Sequence, residues 1–267
     1  MKQLRILSVR YIELIKNDRA RVLTLLLQPV IIGFLLSLVA GSDAFKTFEE
    51  TKSILFALSC AGIWMGLFDS IQEICKERSI LKREYAANLS MPAYVLSKFI
   101  VQCLISIVQA FLLLAIFSIF TGNPSKGLLF GISFFEMWFS VFLTIFSSAA
   151  IGLVFSSISK NSDRAMTMAP FILIIQLLFS GMLFNLSGFT KYLSYITISR
   201  WSVGVLGSIA DVNSLPTKIP DAPKITQTIY DATILHEFGL WGILLLFIII
   251  SFVICAILLR NVSKDSR

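Results

Sequence analysis

Of the 267 residues, 56% are apolar and only 15% are charged, and the mean hydropathy is +0.82. Soluble globular domains carry roughly 25% charged residues, so a water-soluble fold is excluded and a bilayer is the expected solvent. The net charge of +7 sits in short clusters between apolar runs, which argues against a nucleic-acid-binding face and for orientation in a membrane.

In chain order, Met1 to Arg21 is polar and basic, unlike a cleaved signal peptide, so the first span is expected to be retained. Within it Leu4, Leu7, Tyr11, Leu14 and Ile15 recur at helical spacing while Arg5, Arg10, Glu13 and Lys16 take other faces. This predicts an amphipathic helix beside the membrane, either a simple interfacial anchor or a helix docked on another cytoplasmic element.

Six apolar runs follow, at about Val22 to Ala40, Ser53 to Ile71, Phe99 to Thr121, Leu128 to Ile158, Ala165 to Phe184 and Gly239 to Leu259. Each is long enough for a hydrocarbon core roughly 30 Å thick. Six spans place both termini on one side; that side collects sixteen Lys and Arg against seven on the other, so the termini and residues 73–98 are assigned to the cytoplasm. No internal repeat relates the halves, unlike the inverted repeats of many secondary transporters.

The most charged stretch, residues 73–98, holds Glu73, Lys76, Glu77, Arg78, Lys82, Arg83, Glu84 and Lys98 and lacks Gly or Pro until Pro92. It predicts a helix leaving the membrane, supported by local charge pairs such as Glu73 with Lys76. It is either a solvated connector or a partner surface, since dense mixed charge sets register between proteins.

Beyond the fifth run, residues 186–238 form an outer segment long enough to have structure of its own. Its first half, with Phe189, Tyr192, Tyr195 and Trp201, suits the interfacial aromatic belt and predicts short re-entrant helices packed on the spans. Its second half, with Pro216, Pro220 and Pro223, predicts an exposed loop.

Chemistry is sparse. The single histidine, His236, stands beside Glu237 at the outer membrane face, without the further groups a zinc or acyl-transfer site needs. Cys60, Cys75, Cys103 and Cys255 show no CxxC spacing, so neither a disulfide framework nor a metal site is expected. No GxxxxGK[ST] phosphate loop occurs, so ATP hydrolysis is not expected of these residues. Two acids lie in apolar runs. Asp69 reads as a membrane-boundary residue; Glu136, about 12 Å along its run at 1.5 Å per residue, is either a hydrogen-bonded packing or outer water-accessible residue or part of a transport or proton pathway. Asn88-Leu-Ser90 and Asn185-Leu-Ser187 match the glycosylation pattern by chance.

Two stretches then resemble a known family. IQEICKERSILKREY followed by AYVLSK is similar to a coupling helix and its entry into a third span. GLVFSSISKNSDRA, PFILIIQLLFSGMLFNL and YLSYITISRW look like a fourth and fifth span with outer re-entrant helices. Together they resemble the transmembrane domain of G-type ATP-binding-cassette (ABC) exporters, within the type-2 ABC permease group.

The resemblance implies an all-α integral membrane permease of six spans with the N-terminal helix as a connecting helix. It implies a dimer with a second permease copy or paralogue, a separate ABC ATPase chain that binds the ATP and Mg, and a plasma-membrane location amid lipid. It assigns coupling to Glu77, Arg78, Arg83 and Glu84, a substrate cavity to Leu58, Gly62, Met65, Leu173, Ile174 and Leu177, and an apolar plug to Met182 and Leu183. No nucleic acid, metal or cofactor on this chain is implied. Two departures from the family pattern stand out: these residues hold the membrane domain without the ATPase usually fused to it, so the ATPase is either a separate subunit or part of a longer chain, and the outer loop is free of cysteine. The implied function is alternating-access efflux of an apolar or amphipathic substrate; the other reading is an ATP-independent transporter or membrane enzyme centred on Glu136 or His236.

Overall fold

The computed structural model describes residues 2–41, 44–86, 88–124, 127–129, 131–184, 186–217 and 227–260. Among the described residues the regular structure is all helical, with no strand. The short amphipathic helix α1 (Lys2–Asn17) precedes α2 (Arg19–Ala40), and Asp18 separates them by accepting a bond from the Arg21 backbone N–H at 3.1 Å. Then come α3 (Phe48–Ser70), a single 3₁₀ turn at Cys75–Glu77, α4 (Arg78–Ala86), α5 (Met91–Thr121) and α6 (Ser133–Ile158). After α7 (Ser162–Leu178) and the short α8 (Phe189–Ser194) and α9 (Ile198–Ile209), α10 (Ile234–Arg260) closes the described chain.

Among the described residues, five helices are long and apolar enough to cross a membrane: α2, α3 with its continuation to Ala86, α5, α6 and α10. The fifth expected run becomes α7, which has only 17 residues and spans about 26 Å at 1.5 Å per residue. It ends at Leu178 rather than Phe184, and the chain turns at Gly181, whose φ of +77° is left-handed. Other helices overrun the apolar runs. The third starts at Met91 with Pro92 in its first turn, where a missing N–H costs nothing, and α10 starts at Ile234, so His236 and Glu237 lie inside it. Conversely the fourth starts at Ser133, not Leu128, because residues 128 and 129 turn back onto Glu136.

The most enclosed span is α6, and α2 is the least. Without a hydrophobic force between helices in lipid, association relies on close backbone approach and on hydroxyl bonds, and both are concentrated on α6. Against α3, a Cβ on Gly66 would come within 2.1 Å of the Ile145 carbonyl oxygen, and one on Gly152 within 2.0 Å of Ser70 Oγ. Across the same seam Ser148 donates to the Ile63 carbonyl at 2.6 Å. Toward α10, Ser147 donates to the Leu244 carbonyl at 3.0 Å and Trp241 Nε1 to Ser140 Oγ at 2.8 Å. Toward α9, Thr144 and Ser202 hydroxyls lie 2.7 Å apart. Helix α9 is buried along most of its length against α3, α6 and α10. It is held to α7 where Ser199 N donates to Gln176 Oε1 at 3.1 Å.

Pro216 accepts the Phe48 N–H at 3.0 Å and so tethers the outer segment to the start of α3, whereas Pro220 and Pro223 lie outside the described residues, as does Asn185.

Because the Gly66 contact is backbone on backbone, Gly66→Ala is expected to lower detergent-solubilised stability by about 1–3 kcal/mol. Gly62→Ala, whose Cβ would find ordinary contact with Ile145 Cγ1 at 3.4 Å, should be nearly neutral. Thermal unfolding of the two variants checks the contrast.

Candidate functional site

Where the charged segment meets the membrane, five elements converge. The α3 end and the 3₁₀ turn are fixed to α6 by Ser156, whose Oγ accepts the backbone N–H groups of Ile74 at 2.9 Å and Cys75 at 3.1 Å. This presents Glu73 and Glu77 toward α1, α2 and α5. Glu73, 5% exposed, accepts a bond from the Tyr11 hydroxyl and pairs with Arg21 at 2.7 Å. Glu77 accepts from Tyr94 at 2.9 Å and from Lys98 Nζ at 2.8 Å. Lys98, 2% exposed, also lies 3.6 Å from the centre of the Tyr11 ring, so a cation–π contact joins the two carboxylate pairs. Burial, then the Glu73 charge, holds the Tyr11 phenol well above its ordinary range, so it remains a neutral donor. A bidentate pair of Arg10 with Glu84, at 2.5 and 3.3 Å, adds α4 to α1.

The four residues expected to face an ATPase divide unequally. Arg78 donates from one guanidinium nitrogen to the Ser157 and Ser159 carbonyls at 3.0 and 2.9 Å, covering the exposed C-terminal end of α6. Glu77 and Glu84 are engaged within the chain as described, and only Arg83 stands exposed. Local pairing of Glu73 or Glu84 with neighbouring turns does not occur as expected. Both acids reach distant helices instead, because the first turns beneath the span are enclosed by α1 and α5. The outward surface of this segment is Lys76, Ser79, Ile80, Lys82 and Arg83. On α1, Leu7, Tyr11 and Ile15 are buried, but Leu14 is 54% exposed, so the docked stripe is narrower than the apolar one.

The expected cavity residues also divide. Leu58, Gly62 and Met65 share one face of α3, but that face is buried: Leu58 and Met65 have no exposure, and Gly62 abuts Ile145 and Thr144 of α6. On α7, Leu173 is buried, Leu177 half-buried and Ile174 exposed. The α3 residues open to the outside are instead Trp64 and Phe68, and α7 adds Phe171, Ile174, Ile175 and Leu178. Met182 is half-buried with its Sδ 3.2 Å from the Tyr230 hydroxyl, while Leu183 is exposed.

Glu136 is buried in the first turn of α6, not a dozen ångströms into a span. Its carboxylate accepts the backbone N–H groups of Leu128 and Leu129 at 2.7 and 2.6 Å, the bonded packing role. A Cβ on Gly127 would reach 2.6 Å from Glu136 Oε1, so a larger residue there would require the carboxylate to shift. Glu237, expected at the outer face, is fully buried near Glu136, and neither of its oxygens has a hydrogen-bond partner among the described residues. His236 Nε2 lies 3.1 Å from the Ile229 carbonyl. Asp69 accepts from Gln109 at 2.7 Å, joining α3 to α5 rather than marking a bare boundary.

The cluster of Tyr11, Arg21, Glu73, Tyr94 and Lys98 was not singled out from sequence. Its signals were a tyrosine within the α1 apolar stripe and a lysine leading an apolar run.

Residues 2–208 match the ABC-2 type transporter family, from α1 to the last turn of α9, and so include the whole charged cluster. The chain belongs to that family. As an ABC-2 permease it is a multi-pass membrane protein and the membrane subunit of an ABC transporter. It is 28% identical over 224 residues to the ABC transporter ATP-binding/permease protein Rv1747 of Mycobacterium tuberculosis (strain ATCC 25618 / H37Rv), covering 80% of this chain and 26% of that protein. The permease thus spans about a quarter of the length of that relative.

Removing one partner of a buried pair strands the other charge, whereas exposed pairs contribute little. Glu77→Gln should therefore destabilise the permease by about 3 kcal/mol or more by stranding Lys98, and Glu84→Gln by about 1 kcal/mol or less. Unfolding midpoints of the two variants in one detergent test the difference.

Proposed function

We propose that this permease is one half of the membrane domain of an ATP-driven exporter, working by alternating access as a dimer in the plasma membrane with both termini cytoplasmic. The observation that carries the reading is the buried ion-pair cluster joining the segment between α3 and α4 to α1, α2 and α5, together with the Arg78 bonds from α4 to the end of α6. A load applied to the exposed side of α4 reaches the spans through Arg78 and the adjoining 3₁₀ turn, which Ser156 and the buried charge pairs fix to α6, α2 and α5. An ABC ATPase on a partner chain, holding ATP and Mg, supplies that load. Lys76, Ile80 and Arg83 meet it directly, and Glu77, Arg78 and Glu84 transmit it.

A cavity between two copies is walled by the exposed residues of α3 and α7, Trp64, Phe68 and Ile174 among them, with Leu177 beside them. Leu58, Gly62 and Met65 support the wall from behind. Met182, held by Tyr230, and Leu183 close it on the outer side. Such a wall offers dispersion and few directional bonds, so the exported molecule is apolar or amphipathic, a lipid, drug or peptide.

Ile80→Asp combined with Arg83→Glu should weaken copurification with the cognate ATPase at least tenfold, about 1.4 kcal/mol, while helicity by circular dichroism stays unchanged. Unaltered association would remove the coupling assignment. For the substrate, Ile174→Asp should abolish stimulation of ATPase activity by hydrophobic compounds; a polar glycan exported at unchanged rate by that variant would overturn the apolar cavity.

A further inference from the structure

Between α1, α2 and α5 runs a groove of about 350 Å³, within the range of roughly 300–1,000 Å³ for ligand pockets. Its walls are aliphatic, with Ile12 and Ile15 from α1, Val22 and Leu26 from α2, and Leu104 and Val108 from α5. Polar groups stand only at its ends. Lys16 is at the mouth, and at the far end Gln109 already donates its amide to Asp69 and to the Leu25 carbonyl. From Val101, which packs on Tyr11 and Ile15, to Gln109 is eight residues of α5, about 12 Å.

We infer that this groove binds one anionic phospholipid from the leaflet on the side of the chain termini, its acyl chain between α2 and α5 and its phosphate against Lys16. The groove opens onto hydrocarbon, since Ile12, Leu26, Leu104 and Val108 are each 40–49% exposed beside the least enclosed span. Its occupant must therefore arrive through the bilayer, which disfavours a soluble partner. Lys16 and Arg19 are both exposed, and no acidic partner of Lys16 occurs among the described residues. A phosphate of net negative charge complements that mouth, whereas the cationic end of a zwitterionic headgroup meets repulsion there. The groove also borders the contact of Tyr11 and Ile15 with Val101. A bound chain therefore braces α1, and through Tyr11 and Arg10 it braces the charged cluster. The inference goes beyond the exporter reading and does not need an ATPase.

The test measures unfolding temperature of the purified protein in detergent on adding dioleoyl phosphatidylglycerol, dioleoyl phosphatidylcholine or inorganic phosphate. Phosphatidylglycerol should raise it by about 5 °C, with no comparable rise from the other two. Lys16→Gln should remove the preference for phosphatidylglycerol. Leu104→Trp, which fills the groove, should remove the rise even in a protein of unchanged helicity. Equal stabilisation by phosphatidylcholine, or by free phosphate, would overturn the proposal, as would a phosphatidylglycerol effect that survives both substitutions. Because no transport or nucleotide hydrolysis is read, failure here leaves the exporter reading standing, and failure of that reading leaves this result intact.

Discussion

Lys98 determines how the end of this molecule around α1 and α4 is built. An ammonium removed from water needs a carboxylate and further dipoles around it, or its burial costs several kcal/mol. Glu77 and the Tyr11 ring supply them. Meeting that requirement fixes the 3₁₀ turn after α3, since Glu77 must approach α5, and it fixes α1, since Tyr11 must lie flat over the lysine. Glu73 and Arg21 then complete the arrangement from the other side of Tyr11. An amphipathic helix that could have floated in the interface is instead part of the protein's tertiary structure.

The spans themselves are held by a different logic. They are joined by hydroxyl groups and close glycine contacts along α6, and at its start the buried Glu136 carboxylate is satisfied by backbone donors from the preceding loop. The end that carries the charged segment thus gains its specificity from long-range charge pairs and the spans from close backbone approach. This division agrees with their surroundings: charge pairs lie near the headgroups, where lysine and arginine are least costly, and small residues lie in the hydrocarbon.

Much of this was legible in the sequence. Hydrocarbon thickness sets a minimum run of apolar residues, so the spans stood out, as did the amphipathic pattern of α1. The helix ends did not, because helices such as α5 continue into polar sequence, and because Gly181 halts α7 inside an apolar stretch that hydropathy alone would extend. Nor did the partners of Glu73 and Glu84. Reading charge along a helix favours neighbours one turn away, whereas Glu73 finds Arg21 and Glu84 finds Arg10, choices that only the packing of α1 beneath the membrane makes. The burial of this face of α3 was not legible for a related reason. The spacing of Leu58, Gly62 and Met65 identifies a common face but carries no sign of which side the neighbour lies on, and the tight glycine contacts place α6 there.

The inward commitment of Glu77, Arg78 and Glu84 leaves α4 and the turn before it with two populations of charge that answer to different demands. Residues turned inward are constrained by the fold, Glu77 most of all because its partner Lys98 is buried. Ile80 and Arg83 are turned outward and exposed. On the proposed coupling role, the surface that meets the ATPase can therefore drift during evolution without disturbing the scaffold beneath it, so related permeases can acquire mutually exclusive partners while keeping the same internal machinery.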